Sequence, residues 1–470
     1  FQAEDGIRDC LLSRGLGDVY KRQIGYSAII EPSISNMGYV TTALPYQDRE
    51  KTGHKGGALA STSVSIGPTG SVYVTCDSLP QGQGHETILS QIVADVFGVK
   101  LNEIFVNSTH DTHKDSWSIA AGNYSSRFAG AVAGSAYNAA INLKKKLQKI
   151  AASELNCKSE NILFNKGKVF DKKNSDNYLK FKRLAGIPHW SPGNLPENLN
   201  PSLKETCFWG NEQLSPPNEK DEINGSLAYG FVFDVCGVEI DPITSKVKID
   251  KYVTGHDAGK ILNPLLANGQ IYGAYAHAVG AALLEEFKYN NNGSFLSGSF
   301  QDYHMPTTCE INEPEIVHIE TPSPFTPLGA KGLGDGNCMS TPVAIANAFA
   351  DATKIKNIKL PVSAPFHCEL LNKASAIWTR EKKDISAEQY EEFYKQIGAG
   401  FNKPLLTLHN KVEGTLSYIN LLFIPDARPF DLFQMDVKPK IKLYSNRVLI
   451  TDDSESILPR WLRFVKGIVD

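Results

Sequence analysis

Residues 327–353 read PLGAKGLGDGNCMSTPVAIANAFADAT, in which a loop with four glycines leads into an alanine-rich run. The run predicts a helix, with Thr341 as its N-cap and Pro342 as its first residue. Glycine lets a backbone approach a ligand closely, and the free N–H groups at a helix start attract anions. We therefore interpret this stretch as a loop and helix suited to an anionic ligand.

Two further glycine-containing loops also precede predicted helices. GQGHET at 82–87 is followed by Ile88, Ile92 and Val96, which form one apolar helical stripe. GNYSSR at 122–127 opens a second alanine-rich segment and adds a cation. Three such loops favour a large anionic cofactor, although their glycine spacing differs from the dinucleotide-binding fingerprint.

The composition limits the class of protein. With 41% hydrophobic and 21% charged residues over 470 positions, the chain can build real cores, and its length predicts about three domains. A net charge of -3 argues against a nucleic-acid partner, and no apolar run reaches the length of a membrane span. Eight cysteines without a CxxC pair favour the cytoplasm and provide no zinc or iron–sulfur ligand spacing.

The chain changes character twice. Residues 1–23 resemble a translated sequencing adapter and are excluded from the fold prediction. From 24 to 367, strand-like runs alternate with helices and predict a mixed α/β fold, with a long connecting loop over 187–226. From 371 to 470, lysine, glutamate and aromatic residues become more frequent, and Ser386 with Gln389 forms a predicted capping box.

Four motifs between 24 and 367 carry a family resemblance. GQGHET at 82–87, HDAGKILNPLLANGQIYGAYAHAVGAALLEE at 256–286, SGSFQDYHMP at 297–306 and the stretch at 327–353 occur in the family's order. They resemble the molybdopterin-binding large subunit of the xanthine dehydrogenase, aldehyde oxidase and carbon monoxide dehydrogenase family. The resemblance implies the C-terminal half of that subunit and hydroxylation of an aldehyde or N-heterocycle with a molybdopterin-type molybdenum cofactor.

The resemblance also assigns roles to residues. The family's base is the glutamate of a Gly-Glu step, and Asp335 occupies that position here. Its shorter side chain retracts the carboxylate by about 1.5 Å, a displacement that costs on the order of 10²-fold in rate. The alternative interpretation is that Asp335 only caps a glycine-rich turn. The implied cofactor contacts are Gly82, Gln83, Gly84, Ser126, Arg127, Gln270, Gly332 and Gly334.

The last hundred residues resemble a different family. The segments around Trp378, His409–Gly414 and Leu462–Gly467 are similar to the middle domain of the bacterial ninety-kilodalton heat-shock chaperone, an α/β sandwich. Neither the ATP-binding domain nor the downstream catalytic arginine of that family is present in the sequence, so we expect no ATPase activity.

Three hypotheses remain open. The first is a molybdenum hydroxylase that is not competent alone, because half of the large subunit and the iron–sulfur and flavin subunits or domains are absent from the sequence. The second is a client-binding or partner-binding chaperone fragment. The third is a chimeric reading frame that joins unrelated genes near residues 367–371.

Overall fold

The computed structural model describes residues 21–36, 38–52, 60–109, 111, 113, 122–241, 246–362, 377–397, 403–412, 417–426, 440–445, 448–454 and 457–470. Residues 1–20 of the adapter-like segment and the predicted junction at 367–371 lie outside these ranges. Residues 21–23 form the beginning of the first strand.

The described elements alternate irregularly along the chain. In chain order, the strands are β1 (Lys21–Ser35), β2 (Ala60–Ile66), β3 (Val72–Cys76), β4 (Ile104–Asn107), β5 (Ile162–Asn165), β6 (Lys168–Asp171), β7 (Asn174–Lys180), β8 (Lys204–Trp209), β9 (Ser226–Ile240), β10 (Val247–Asp257), β11 (Glu315–His318), β12 (Pro404–Val412), β13 (Tyr418–Pro425), β14 (Lys440–Ser445), β15 (Val448–Ser454) and β16 (Lys466–Val469). The α-helices are α1 (Tyr46–Thr52), α2 (His85–Phe97), α3 (Ala133–Glu154), α4 (Phe181–Trp190), α5 (Pro264–Leu283), α6 (Gly336–Thr353) and α7 (Ala387–Gln396).

The first sheet has the strand order β1-β9-β10-β11, in which β1 and β9 pair antiparallel along almost their whole length. Helices α5 and α6 cover one face, and their core includes Tyr252, Tyr275 and Phe349. Gly25 of β1 permits close packing of α6, since a Cβ there would clash with the Ala344 carbonyl and the Ala348 backbone. The sheet thus packs closely against the middle of α6.

A second core lies around the sheet β4-β3-β2-β8. Helices α2 and α3 pack together there, and the three-stranded sheet β5-β6-β7 contacts the same cluster. The apolar stripe after Gly84 correctly predicted α2, in which Ile88 and Val96 are buried. A π-helical turn at Phe128–Val132 leads from the third glycine loop into α3.

The predicted start of the helix in 327–353 is wrong by six positions. Helix α6 begins at Gly336 with Asp335 as its N-cap, so Pro342 lies inside the helix. Thr341 does not cap the helix, because its hydroxyl is buried and lies 2.7 Å from the Tyr252 hydroxyl. The local capping rule failed because distant strands provide the partners of this segment.

The predicted loop over 187–226 is partly wrong. Helix α4 continues to Trp190, and β8 pairs antiparallel with β2 as an edge strand. Side chains of β8 alternate between exposed and half-buried positions, so the strand has no strong apolar signal.

The C-terminal residues form a separate core beneath the sheet β12-β13-β16-β14-β15. Trp378 and Phe423 are buried in it, and the Trp378 indole N–H donates to the Asp470 carboxylate over 2.9 Å. The predicted capping box of α7 is confirmed by reciprocal bonds between Ser386 and Gln389. The fold is therefore mixed α/β, as predicted from the sequence. None of the described helices is long and apolar enough to cross a membrane.

Candidate functional site

A cavity of about 280 Å³ lies where the glycine loops meet the start of α5. Its lining includes Gln83, Ser126, Gln270, Gly334 and Asp335, all identified from the sequence. These residues come from four separate segments of the chain and meet only in the tertiary structure. The remaining candidates, Gly82, Gly84, Arg127 and Gly332, are not part of the lining.

Gly82 and Gly84 shape the loop at 82–87 by their backbone conformation. Both have positive φ angles, 102° and 83°. Gly82 has open space where a Cβ would be, whereas a Cβ on Gly84 would lie 2.7 Å from the Leu266 side chain. Gly84 therefore allows α2 to start against α5, and the open space at Gly82 lies beside Gln83 of the cavity.

Arg127 stabilises the backbone of the loop at 122–127. Its guanidinium donates to the backbone carbonyls of Gly122 at 2.9 Å and Asp77 at 3.0 Å. The Asp77 carboxylate lies 3.4 Å from the same guanidinium, and both side chains are buried. Burial lowers the pKa of Arg127, and the charge of Asp77 opposes that shift. The structure thus assigns Arg127 a supporting position rather than one on the cavity wall.

Ser125 and Ser126, at the rim of the third loop, adopt left-handed backbone conformations with φ of 51° and 47°. This conformation is uncommon for residues other than glycine, and such strained residues cluster at functional sites. The Ser126 hydroxyl donates to Oε1 of Glu31 over 2.8 Å. The strain is therefore compensated by a specific contact.

Asp335 has the exposure expected of a reactive group. It is the N-cap of α6, yet its side chain makes no capping hydrogen bond, so the capping interpretation is not supported. The backbone N–H of Asp335 donates to Oε1 of Glu31 over 3.2 Å, and Asp335 also lines the cavity. The backbone anchors the residue, and the carboxylate is not used as a cap.

Two of the motif histidines, His85 and His256, are buried and hydrogen-bonded. His85 is buried against the Phe128 ring and hydrogen bonds Asn123 over 3.0 Å, and burial lowers its pKa. His256 lies 2.9 Å from the Asn337 amide oxygen, and burial lowers its pKa to about 4. Both rings are therefore neutral near pH 7.

Several further polar residues, which were not predicted from the motifs, lie on the cavity wall. Lys260 and Lys331 line it, and each also forms an ion pair, with Glu320 at 2.9 Å and with Asp257 at 3.2 Å. Asn263 lines it as the N-cap of α5, accepting from the Leu266 backbone over 3.1 Å. Lys331 belongs to the glycine loop at the start of 327–353, so the motif itself indicates that this lysine lies near the site.

The donor set fits a molybdopterin-type cofactor. The amide side chains of Gln83 and Gln270 provide donors and acceptors for a heterocycle, and the two lysines suit a phosphate. The Asn263 amide instead bonds Leu266 and Gln91. Among the described residues, no cluster of three His, Cys, Asp or Glu side chains is placed to hold a metal.

Comparison with known proteins defines the class. The family model of the molybdopterin cofactor-binding domain matches residues 13–312, which is more than half of the chain. The protein belongs to this family. A second model, that of the Hsp90 protein, matches residues 345–470. The second match begins inside α6, although α6 packs on the first sheet through Ile345 and Phe349.

Individual relatives agree with this division. The nicotine 6-hydroxylase large subunit of Paenarthrobacter nicotinovorans is 33% identical over 62% of this chain and 34% of its own length. The structure of quinoline 2-oxidoreductase from Pseudomonas putida 86 superimposes with a TM-score of 0.64 at 27% identity, covering 77% of this chain and 43% of that one. The chain thus spans about a third of the length of the hydroxylase relative.

The C-terminal part is similar to a chaperone. The chaperone protein HtpG of Rhodospirillum rubrum is 57% identical over 102 residues, which are 22% of this chain and 16% of the relative. The chain therefore combines a molybdopterin-binding region with a segment similar to HtpG.

Proposed function

We propose that this chain forms the cofactor cavity of a molybdenum hydroxylase. The observation that carries the proposal is the convergence of Gln83, Ser126, Gln270, Gly334 and Asp335 around one cavity. Glycine loops without a shared function would not be expected to place a carboxylate, two amides and a hydroxyl around one cavity. Membership of the molybdopterin cofactor-binding family supports the same interpretation.

Each wall of the cavity has a proposed task. The amides of Gln83 and Gln270 hold the pterin, Ser126 and Gly334 form the adjoining rim, and Lys260 and Lys331 attract the phosphate. The loops that carry these groups are held in position by four residues outside the lining: Gly82, Gly84, Arg127 and Gly332. When bound, the cofactor supplies the oxygen-transfer and redox chemistry.

Asp335 is the proposed general base. General bases need a carboxylate within reach of the reacting group, and Asp335 lines the cavity without acting as a cap. Its side chain is one methylene shorter than the family's glutamate, so the proton acceptor lies about 1.5 Å further back. We propose that a slower reaction follows from this retraction.

The proposed substrate is an N-heterocycle or an aldehyde. Relatives named for nicotine and quinoline support the N-heterocycle, a ring with an electron-poor carbon. Electrons released by such an oxidation need acceptors, and we propose iron–sulfur and flavin subunits or domains as partners. The six described cysteines are free thiols, which supports the proposed cytoplasmic location.

The second candidate function concerns the C-terminal segment. Its own buried core around Trp378 and its match to the Hsp90 model support a client-binding or partner-binding fragment without ATPase activity. We propose that a chimeric reading frame joins the two parts. Long-read sequencing across the codons for residues 360–375 tests this, and an uninterrupted genomic join would contradict it.

Metal analysis tests the main proposal. The full chain is expressed in a host that makes the molybdenum cofactor, and molybdenum is measured per purified chain. We expect about one molybdenum per chain, because the site is proposed to hold one cofactor. Gln83→Ala and Gln270→Ala should each reduce the content several-fold.

Gln301→Ala provides the matched control, because Gln301 is exposed and lies outside the cavity lining. Its molybdenum content should equal that of the parent chain. Absence of molybdenum from the folded parent chain would refute the proposal, as would equal contents in all four proteins.

A further inference from the structure

Glu31 of β1 is a buried carboxylate that belongs to none of the sequence motifs. It is only 2% exposed, and its Oε1 accepts from the Ser126 hydroxyl at 2.8 Å and from the Asp335 N–H at 3.2 Å. The backbone of Gly336 also lowers the pKa of this carboxylate. One side chain thus joins two of the three glycine loops.

The loops carry glycine where this carboxylate must reach the backbone. A Cβ on Gly332 would lie 2.8 Å from the Ser126 Cβ and 3.2 Å from Oε1 of Glu31. A Cβ on Gly336 would lie 3.1 Å from Oε2 of Glu31. These contacts are tighter than ordinary packing allows, and still closer ones exist: a Cβ on Gly332 would lie 2.5 Å from the Ser33 Cβ, and a Cβ on Gly336 would lie 2.6 Å from the Val232 side chain. Side chains at these positions would therefore displace both strand residues and the carboxylate.

Hydrogen bonds and a helix terminus, rather than a cation, compensate the charge. Within the described residues, no ion pair joins Glu31 to a lysine or arginine. Arg127 instead forms an ion pair with Asp77, and Lys331 forms one with Asp257. The carboxylate instead lies at the N-terminus of α6, where backbone N–H groups and the helix dipole favour a negative charge.

Three other titratable groups lie near Glu31: Asp335, Cys338 and His256. Asp335 follows on the loop that Glu31 anchors, and the His256 ring and Oε2 of Glu31 both approach the position that a Cβ on Gly336 would take. Burial raises the pKa of Glu31, the hydrogen bond from Ser126 opposes the shift, and the charge of Asp335 adds to it. The ionised form therefore depends on the contacts that the two loops donate.

We propose that Glu31 is a positioning residue, which clamps the Ser126 loop to the start of α6 and thereby sets the direction of the Asp335 carboxylate. Glu31 is not part of the cavity lining, so it acts through these neighbours. The clamp concerns the loops alone, whereas its role toward a cofactor rests on the proposed function.

Hydrogen–deuterium exchange of the cofactor-free full chain tests the clamp. Glu31→Gln places an amide N–H₂ group where a carboxylate oxygen accepts, so we expect exchange over residues 333–337 to rise at least tenfold. Ser126→Ala should raise exchange in the same segment. In the double variant, the two effects on the Asp335 N–H should not add, because both variants remove the bond between Ser126 and Glu31.

Ser125→Ala is the matched control. Ser125 shares the left-handed conformation, but its hydroxyl bonds Ser35 over 2.7 Å rather than Glu31. Exchange over 333–337 should stay unchanged in this variant. The Ser126 hydroxyl also accepts directly from the Gly334 N–H over 3.3 Å, so if Glu31→Gln does not fold, the Asp335 N–H decides in Ser126→Ala, because it bonds Glu31 and not Ser126. Unchanged exchange of that N–H in Ser126→Ala would overturn the proposal.

A pH series tests whether the negative charge of Glu31, and not only the volume of its side chain, holds the two loops together. In the parent chain, the protection factors of Asp335 and Gly336, corrected for intrinsic exchange, should fall when Glu31 becomes protonated. In Glu31→Gln they should not depend on pH. Equal pH profiles would overturn the proposal.

Molybdenum content provides the independent second readout. A parent chain that binds molybdenum should lose several-fold of it on Glu31→Gln, and an unchanged content would overturn the role toward the cofactor. A parent chain without molybdenum would refute the proposed function, while the exchange data would still decide whether the clamp exists.

Discussion

The Nη2 atom of Arg127 lies 3.4 Å from Oδ1 of Asp77, and neither side chain is more than 3% exposed. Arg127→Ala would leave a buried carboxylate without this cation. We expect a loss of about 3–5 kcal/mol in the free energy of unfolding, measured by urea denaturation. Lys51→Ala, which removes an exposed ion pair with Asp48, should cost less than about 1 kcal/mol. Equal losses would contradict the supporting role of Arg127.

Gly25 provides a prediction about packing between β1 and α6. Gly25→Ala would force a Cβ into the Ala344 carbonyl, so we expect a destabilisation of about 1–3 kcal/mol. Gly273→Ala is the control, because a Cβ at this position of α5 meets nothing within 4 Å. It should stabilise the chain by about 0.5–1 kcal/mol. Thermal unfolding of both variants measures the two changes in stability. Equal changes would contradict the close contact between α6 and Gly25 of β1.

His256 predicts a pH dependence of stability. Burial lowers its folded-state pKa from 6.5 to about 4, so the unfolded chain binds the proton first as the pH falls. The free energy of unfolding should therefore decrease between pH 6.5 and about 4, by at most about 1.4 kcal/mol per pH unit.

His256→Gln should flatten this pH dependence, because the glutamine side chain does not titrate. His304→Gln, on an exposed loop, should leave the slope as it is in the parent chain. Urea unfolding at half-unit pH intervals provides the measurement. A slope unaffected by His256→Gln would contradict the burial of a neutral imidazole.

Asp335 predicts a change in rate rather than in stability. In a molybdenum-loaded preparation assayed with an artificial electron acceptor, Asp335→Glu should increase turnover by on the order of 10²-fold, because it restores the reach of the carboxylate. Asp335→Asn should decrease it, since an amide cannot accept the proton. Molybdenum content serves as the control for both. Unchanged turnover in Asp335→Glu would remove Asp335 from the mechanism.

Local patterns in the amino-acid sequence determine much of the fold. The apolar stripe of Ile88 and Val96 predicted α2, and Ser386 with Gln389 predicted the start of α7, because both signals involve residues within two helical turns. The motifs likewise pointed to Gln83, Gln270 and Asp335, which the structure places around one cavity.

Contacts between distant residues were decided only by the tertiary structure. Glu31 and Asp335 are 304 positions apart, and no period or motif relates them. The same holds for Thr341, whose hydroxyl meets Tyr252 instead of capping a helix. Sequence patterns report the local preferences of the backbone, whereas a buried polar group takes whichever partner the folded sheets and helices bring within hydrogen-bond distance.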